Sequence, residues 1–321
     1  MNSFPRPSTF SIVAYDASAQ EWGVATQSKF LAVGAVVPWA QAGAGAVATQ
    51  SFANTSFGPN GLALMASGLS AQEALNKLLA EDEGREHRQV GVVDARGQAA
   101  TFTGSACLDW ASGLIGPGYA AQGNMLVSEA TVTAIAATFE KARGELADRL
   151  VDALAAGQKA GGDRRGQQSA AALVVRAKGG YAGFNDRYLD LRVDDAPRPI
   201  ERLRELVALH HLYFKRPDPT TLLPIDSKIA RELARITKQS GNFTGPLNSA
   251  YDDGLKRAVE TLVGIENLEE RWQADATIDP VALGYLQRAY PAPKRRAGSA
   301  KSKPTAQRAH PLKRATQLKR N

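Results

Sequence analysis

The stretch Thr9-Phe10-Ser11-Ile12-Val13-Ala14-Tyr15-Asp16, followed past a short turn by Glu21-Trp22-Gly23-Val24-Ala25-Thr26-Gln27-Ser28, decides how this chain is read. Both segments are rich in β-branched, aromatic and small residues and have the length of sheet strands. The first carries hydroxyls at Thr9 and Ser11, which share one face because strand side chains alternate, so Ser11 can help orient a site built on Thr9. A threonine that opens a first strand has a chemical use. Its hydroxyl is a poor nucleophile until a base removes the proton, and a free α-amine on the same residue, with a reference pKa of about 7.7–8.0, is such a base. Residues 1–8 precede Thr9 here, so its nitrogen becomes basic only when the Ser8–Thr9 bond is cut.

Outward from these strands, Gly43-Ala44-Gly45-Ala46-Val47-Ala48-Thr49-Gln50 supplies another after a Pro38-Trp39 connection, and its small residues suit closely packed sheets. Helices are expected over residues 58–67 and from an N-cap at Ser70, with Glu73 at the capping-box position and Ala74, Leu75, Leu78 and Leu79 on the apolar face. Residues 88–93 and 99–103 read as a hairpin, 119–123 as a strand, and 128–142 and 145–156 as helices. The loop Gly161-Gly162-Asp163-Arg164-Arg165-Gly166 leads into 169–176, an almost wholly apolar strand of the buried kind, and 189–193 adds one more. Asp194, Asp195 and Pro197 open a helix that runs to Phe214, with acids at its positive end. Strand runs alternating with helix groups favour an α+β protein of stacked sheets with helices outside, and disfavour a doubly wound parallel sheet.

The proline-rich break Lys215-Arg216-Pro217-Asp218-Pro219 ends this pattern. Beyond it, helices are expected over 225–238, 249–264 and 280–290, with Leu255, Val259 and Leu262 on one face as a small helical module needs. The expected organisation is an N-terminal extension at 1–8, the layered domain at 9–214, a small mainly helical domain at 217–292, and a disordered tail at 294–321 that has no aromatic residue.

The formal charge of +7 misleads, because residues 294–321 hold ten Lys or Arg and no acid, which leaves about −3 for the rest. The layered part is a mildly acidic protein with a basic tail, and no specific nucleic-acid partner follows from the high pI. The tail suits nucleic acid, anionic lipid or an acidic polymer by charge alone, with a steep salt dependence; a solvated tail fits equally, since no aromatic is interleaved to stack on bases. No apolar run spans a bilayer and no signal-peptide stretch opens the sequence, so a cytoplasmic location is the default. Cys107, the one cysteine, excludes an intrachain disulfide and reads as a lone buried thiol. His87, His210, His211 and His310 have no zinc-site spacing beyond the adjacent pair, and no metal or added cofactor is expected. Gln50, Asn54 and Asn124 follow small-residue strands and suit hydrogen bonding to a substrate amide or an oxyanion, the alternative being strand-end turn roles. Gly123 allows close backbone approach to a ligand.

Several separated motifs, in order, carry a resemblance: Thr9-Phe10-Ser11-Ile12-Val13-Ala14, Ser28-Lys29-Phe30-Leu31-Ala32-Val33-Gly34-Ala35, Gly45-Ala46-Val47-Ala48-Thr49-Gln50, Gly58-Pro59-Asn60-Gly61-Leu62, Gln89-Val90-Gly91-Val92-Val93-Asp94, Gln122-Gly123-Asn124, and Gly162-Asp163-Arg164-Arg165-Gly166-Gln167-Gln168-Ser169-Ala170-Ala171. Over roughly residues 8–212 the chain resembles the bacterial family called domain of unknown function 1028. That family is held to be similar to the N-terminal nucleophile hydrolases, which implies a four-layer αββα sandwich with Thr9 as nucleophile. The same resemblance implies that Asp163 and Ser169 support the threonine amine, the carboxylate orienting it and raising its pKa, and that Lys29 tunes the hydroxyl. The family commonly begins Met-Thr-Phe-Ser, whereas this chain has Asn2 after Met1. Residues 217–290 resemble a peptidoglycan-binding domain sometimes fused to the family.

Together these readings point to an amide hydrolase acting on a small amide or peptide-like substrate, with no added cofactor. The alternative is a non-catalytic protein on the same scaffold that binds peptidoglycan or another glycan through its C-terminal domain. Stacked-sheet proteins of this kind often form homo-oligomers.

Overall fold

The computed structural model describes residues 9–247 and 250–293; the N-terminal extension and the basic tail lie outside the described residues. The chain divides after Arg216 into two compact units.

The first unit contains, in order, β1 (Thr9–Asp16), β2 (Glu21–Ser28), β3 (Pro38–Gln41), β4 (Gly45–Ser51), α1 (Phe57–Ala66), α2 (Ala71–Ala80), β5 (Arg88–Asp94), β6 (Ala99–Thr103), β7 (Ser112–Gly116), β8 (Tyr119–Gly123), α3 (Ala130–Lys141), α4 (Leu146–Lys159), β9 (Ser169–Val175), β10 (Arg187–Val193) and α5 (Pro199–Phe214). Ten strands form two sheets, ordered β10-β9-β2-β1-β8-β7 and β3-β4-β5-β6, and every pairing is antiparallel.

Side-chain alternation sorts β1 between two cores. Phe10, Ile12 and Ala14 pack with Ile135, Leu150, Leu154 and Leu203 from α3, α4 and α5. Val13 instead joins Trp22, Val24, Ala46, Ala48 and Val93 in a core shared by the two sheets. On the far side of the smaller sheet, Val47, Val90 and Val92 meet Phe57, Leu62, Leu75 and Leu78 from α1 and α2. The layers thus run helices, sheet, sheet, helices. Thr9 and Ser11, in phase with Val13, face the space between the sheets, and both are fully buried. Close approach of α4 needs a residue without a side chain on β2: a Cβ at Gly23 would lie 2.7 Å from Leu150 Cδ1.

The Ser70 capping box forms as the sequence predicts, with Ser70 Oγ accepting from the Glu73 amide and Glu73 accepting from the Ser70 amide. Ser70→Ala is expected to cost about 1 kcal/mol, read as faster amide exchange confined to α2; unchanged exchange there would refute it. In the first unit two strands lie where the sequence reading has none. Pro38 opens the edge strand β3, the position in a sheet that tolerates a missing N–H. β7, Ser-Gly-Leu-Ile-Gly, is masked by its two glycines and leaves Leu114 and Ile115 exposed. The last helix starts at Pro199, later than expected: Arg198 precedes a proline and is barred from the α region, so Glu201, not Asp194 or Asp195, is the acid of the first turn.

The second unit pairs β11 (Leu223–Pro224) with β12 (Thr277–Ile278) and holds α6 (Ser227–Gln239), α7 (Asp253–Ile265) and α8 (Pro280–Ala289). Aspartates Asp226, Asp252 and Asp279 cap the three helices. The predicted face of α7, Leu255, Val259 and Leu262, is buried. Asp279 also forms a buried ion pair with Arg271, which ties the start of α8 to the preceding loop.

Candidate functional site

Strand register gathers the hydroxyls. Thr9 on β1, Ser28 on β2 and Ser169 on β9 are successive Cα partners, a row of three on one sheet face. The Thr9 hydroxyl lies 3.3 Å from Ser28 Oγ. The Thr9 carbonyl accepts from the Asn124 amide at 3.0 Å and from Gln50 Nε2 at 3.2 Å, with Asn124 Nδ2 at 3.5 Å. These contacts fix the backbone of Thr9 from the adjoining strand and from the opposite sheet at once.

Behind them lies a buried set of neutral amides. Gln89 on β5 accepts through Oε1 from Gln50 Nε2 at 2.8 Å and from Asn124 Nδ2 at 2.9 Å. Its own Nε2 donates to Gly123 O at 2.8 Å, Thr103 Oγ1 at 2.9 Å and Ser112 O at 3.2 Å. Gln122 Nε2 donates to Ser11 Oγ at 2.6 Å, and Ser11 donates to Gln50 Oε1 at 2.6 Å. Gly91 makes room for this crossing between sheets, since a Cβ there would lie 2.1 Å from Gln122 Oε1. Gln50, Gln89 and Gln122 have no exposed surface and Asn124 almost none. Neither Gln89 nor Gln122 stands out as a site residue in the sequence; the only hint is a glutamine on a strand whose neighbours are Val and Gly.

The remaining expected residues make other contacts. Asp163, its carboxylate fully buried, pairs with Arg165 at 3.0 Å and accepts from the Lys29 amide at 3.0 Å. Ser169 donates to Phe30 O and accepts from the Val33 amide at 3.1 Å. Both therefore secure the loop that follows β2. Lys29 is exposed, and its ammonium donates to Gln167 O at 3.3 Å. Asn54 accepts through its side-chain carbonyl from the Ser56 amide and hydroxyl ahead of α1, while its Nδ2 donates to Asp82. Gly123 lends its carbonyl to Gln89, and a Cβ there would lie 2.5 Å from Leu126 Cδ1, so its missing side chain admits packing. Gln50 and Asn124 direct their side-chain N–H groups at Thr9 and Gln89, which makes them holders of Thr9.

Cys107 donates to Arg88 O, and burial pushes its thiol up against the pull of a Ser51 hydrogen bond, so it is a poor nucleophile. Among the described residues, one trio has ligand atoms close enough to share a metal: Glu145, Asp148 and His211. Its charges are already answered. His211 Nε2 lies 2.9 Å from Asp148 and Nδ1 3.3 Å from Glu145, and the Lys215 ammonium sits on the other Glu145 oxygen. The trio therefore fits an ionic clamp at the end of α5. The Asp148 hydrogen bond, outweighing burial, raises the His211 pKa. A raised histidine contributes stability below its unfolded value of about 6.5 and loses it as pH rises through the folded value. His211→Gln is expected to destabilise the first unit at pH 6 and to lose that effect toward pH 9; a gap that does not change with pH would refute the clamp.

A family model described as "Family of unknown function (DUF1028)" matches residues 9–203, starting at the threonine that opens β1. The chain belongs to this family. A second model, described as "Putative peptidoglycan binding domain", matches residues 213–286. The crystal structure of protein SPO2555 from Silicibacter pomeroyi, a DUF1028 protein, is 31% identical, with a TM-score of 0.58 over 64% of this chain and 89% of that one. No curated protein matches the chain. Among the described residues, no helix is long and apolar enough to cross a membrane.

Proposed function

We propose that this DUF1028 chain is an amide hydrolase of the N-terminal nucleophile type, with Thr9 as nucleophile once residues 1–8 are removed. The observation that carries the reading is the grip on Thr9: the first residue of a central strand, between two stacked sheets, with its carbonyl held by Gln50 and Asn124. A surface-strand threonine needs no such holding. In the reaction the freed amine takes the hydroxyl proton as Oγ1 attacks the substrate carbonyl. The tetrahedral adduct then collapses to an ester as the proton passes to the departing amine, and water hydrolyses the ester to regenerate the hydroxyl. The layer order and the hydroxyl row support the resemblance to N-terminal nucleophile hydrolases. In this reading Asp163 and Ser169 act by shaping the loop after β2, not by touching the amine.

The test is the intact mass of the purified protein beside a Thr9→Ala version. A wild-type chain that begins at Thr9, with Thr9→Ala uncut, supports the nucleophile. A wild-type chain that keeps residues 1–8 leaves Thr9 without its base and sinks the proposal.

The match over residues 213–286 favours a second role for the other unit, recognition of a peptidoglycan-like polymer. Retention of the full chain on purified peptidoglycan at moderate salt tests it, because attraction by the basic tail alone weakens steeply as salt rises.

A further inference from the structure

The second unit has a groove of about 410 Å³ between the first turns of α6 and the C-terminal half of α8, lined by Lys228, Ile229, Arg231, Glu232, Leu283 and Gln287. Lys228 and Arg231 lie three residues apart and so share a helix face. Both are exposed, and among the described residues neither cationic group has a carboxylate partner. The one acid in the lining does not serve them. Glu232 is held by Arg235 through two hydrogen bonds, at 3.0 and 2.8 Å, and Arg235 is itself anchored to Tyr290 O. Those bonds, outweighing burial, keep the Glu232 carboxyl below its usual range, so it is charged and matched. The groove is left with two unanswered cations at its rim.

Its floor is apolar. Leu283 is buried and Ile229 half-buried, while Gln287 brings an amide that can both donate and accept. Cations, apolar floor and amide together suit a ligand with a carboxylate at one end, a peptide group behind it and small aliphatic side chains. The volume lies at the small end of ligand clefts, about 300–1,000 Å³, and suits about two or three such residues. A neutral sugar would leave both cations unused.

We propose that this groove binds the free carboxylate end of a short peptide with small side chains, the chemistry found at the stem peptides of peptidoglycan. The proposal rests on the polymer-binding reading of the second unit. Its recognition is charge-assisted, with the peptide carboxylate accepting from Arg231 and Lys228.

The experiment uses the full chain and the probe N-acetyl-D-alanyl-D-alanine, beside the same peptide with its C-terminus amidated, in amide NMR spectra at about 0.3 M salt, where long-range attraction by the basic tail is screened while a direct contact in the groove is weakened less. The acid should shift amides of residues 228–232 and 283–287. Amidation, or the double substitution Lys228→Glu with Arg231→Glu, should weaken binding about tenfold or more. Both side chains are exposed, so the variant should keep its spectrum elsewhere, which confirms the fold, and it keeps the basic tail. The proposal is overturned if acid and amide bind alike, if the variant binds as the parent does, or if no shifts fall in the groove. Retention on peptidoglycan is measured in parallel. A variant retained as well as the parent overturns the groove and leaves the polymer reading standing. Loss of retention for the parent itself removes the polymer reading, while the peptide spectra still decide the groove.

Discussion

A chain that begins at Thr9 and carries Thr9→Ala is expected to lose amide hydrolysis by about four orders of magnitude or more, the scale on which removal of a nucleophile acts. The fold should survive. The Thr9 contacts that build the site run through its backbone carbonyl, which alanine keeps, and the hydroxyl contributes one long contact of 3.3 Å to Ser28. Thr9→Ser should retain most of the activity. Two measurements check this: turnover of a panel of small amides, and covalent labelling by an electrophilic β-lactone. Labelling of wild type at Thr9, absent in Thr9→Ala and in a chain that retains residues 1–8, is the expected pattern. Turnover by Thr9→Ala at the wild-type rate would remove Thr9 from the chemistry, and labelling at another residue would name its replacement.

The second large effect is on stability. Gln89→Leu keeps the side chain close in size but strips the hub of its acceptor and donors. Gln50 Nε2 and Asn124 Nδ2 lose a shared acceptor, and the carbonyls of Gly123 and Ser112, with the Thr103 hydroxyl, lose a donor. Each buried orphan costs about 1–3 kcal/mol, partly relieved by repacking, so a total of about 3–5 kcal/mol is expected. Urea unfolding of the first unit, followed through Trp22 and Trp39, should show the midpoint drop. Gln89→Glu separates shape from donor chemistry, since it keeps an acceptor but loses the N–H groups and gains a charge that must be buried. A Gln89→Leu chain as stable as wild type would mean that the amide set is dispensable packing.

Much of the layer order is legible in the sequence because local signals agree with one another. Ser70 with Glu73 marks a helix start, the phase of Phe10, Ile12 and Ala14 marks one face of β1, and the apolar run of β9 marks a strand covered on both sides. Two of the first unit's four edge strands escape, since β3 and β7 have little apolar run to announce them, while β6 and β10 are read. The site is only half legible. Thr9, Ser11, Gln50 and Asn124 converge, and each follows from strand phase or strand end. Gln89 and Gln122 do not, because their meaning lies in which sheet lies opposite, a long-range fact that no window of sequence contains. The contacts of Lys29 escape for a related reason: nearness to β2 in sequence does not say which way a side chain turns after the strand ends. Asn54 bonds within its own loop, as a short polar side chain beside free backbone N–H groups does.

The amides around Thr9 have a consequence for how the protein answers to acidity. Gln50, Gln89, Gln122 and Asn124, with Ser11 and Ser28, neither gain nor lose a proton anywhere in the working range of an enzyme. The hydrogen-bonded set around the Thr9 carbonyl thus contains no group that titrates between pH 5 and pH 9. In the proposed reaction the group that titrates is the Thr9 amine that removal of residues 1–8 would expose, with a reference value of about 7.7–8.0. The rate of a processed chain should accordingly climb with pH along one limb and level off. The descending limb that a separate catalytic acid imposes should be missing, which would set this catalyst apart from one built on a pair of carboxylates.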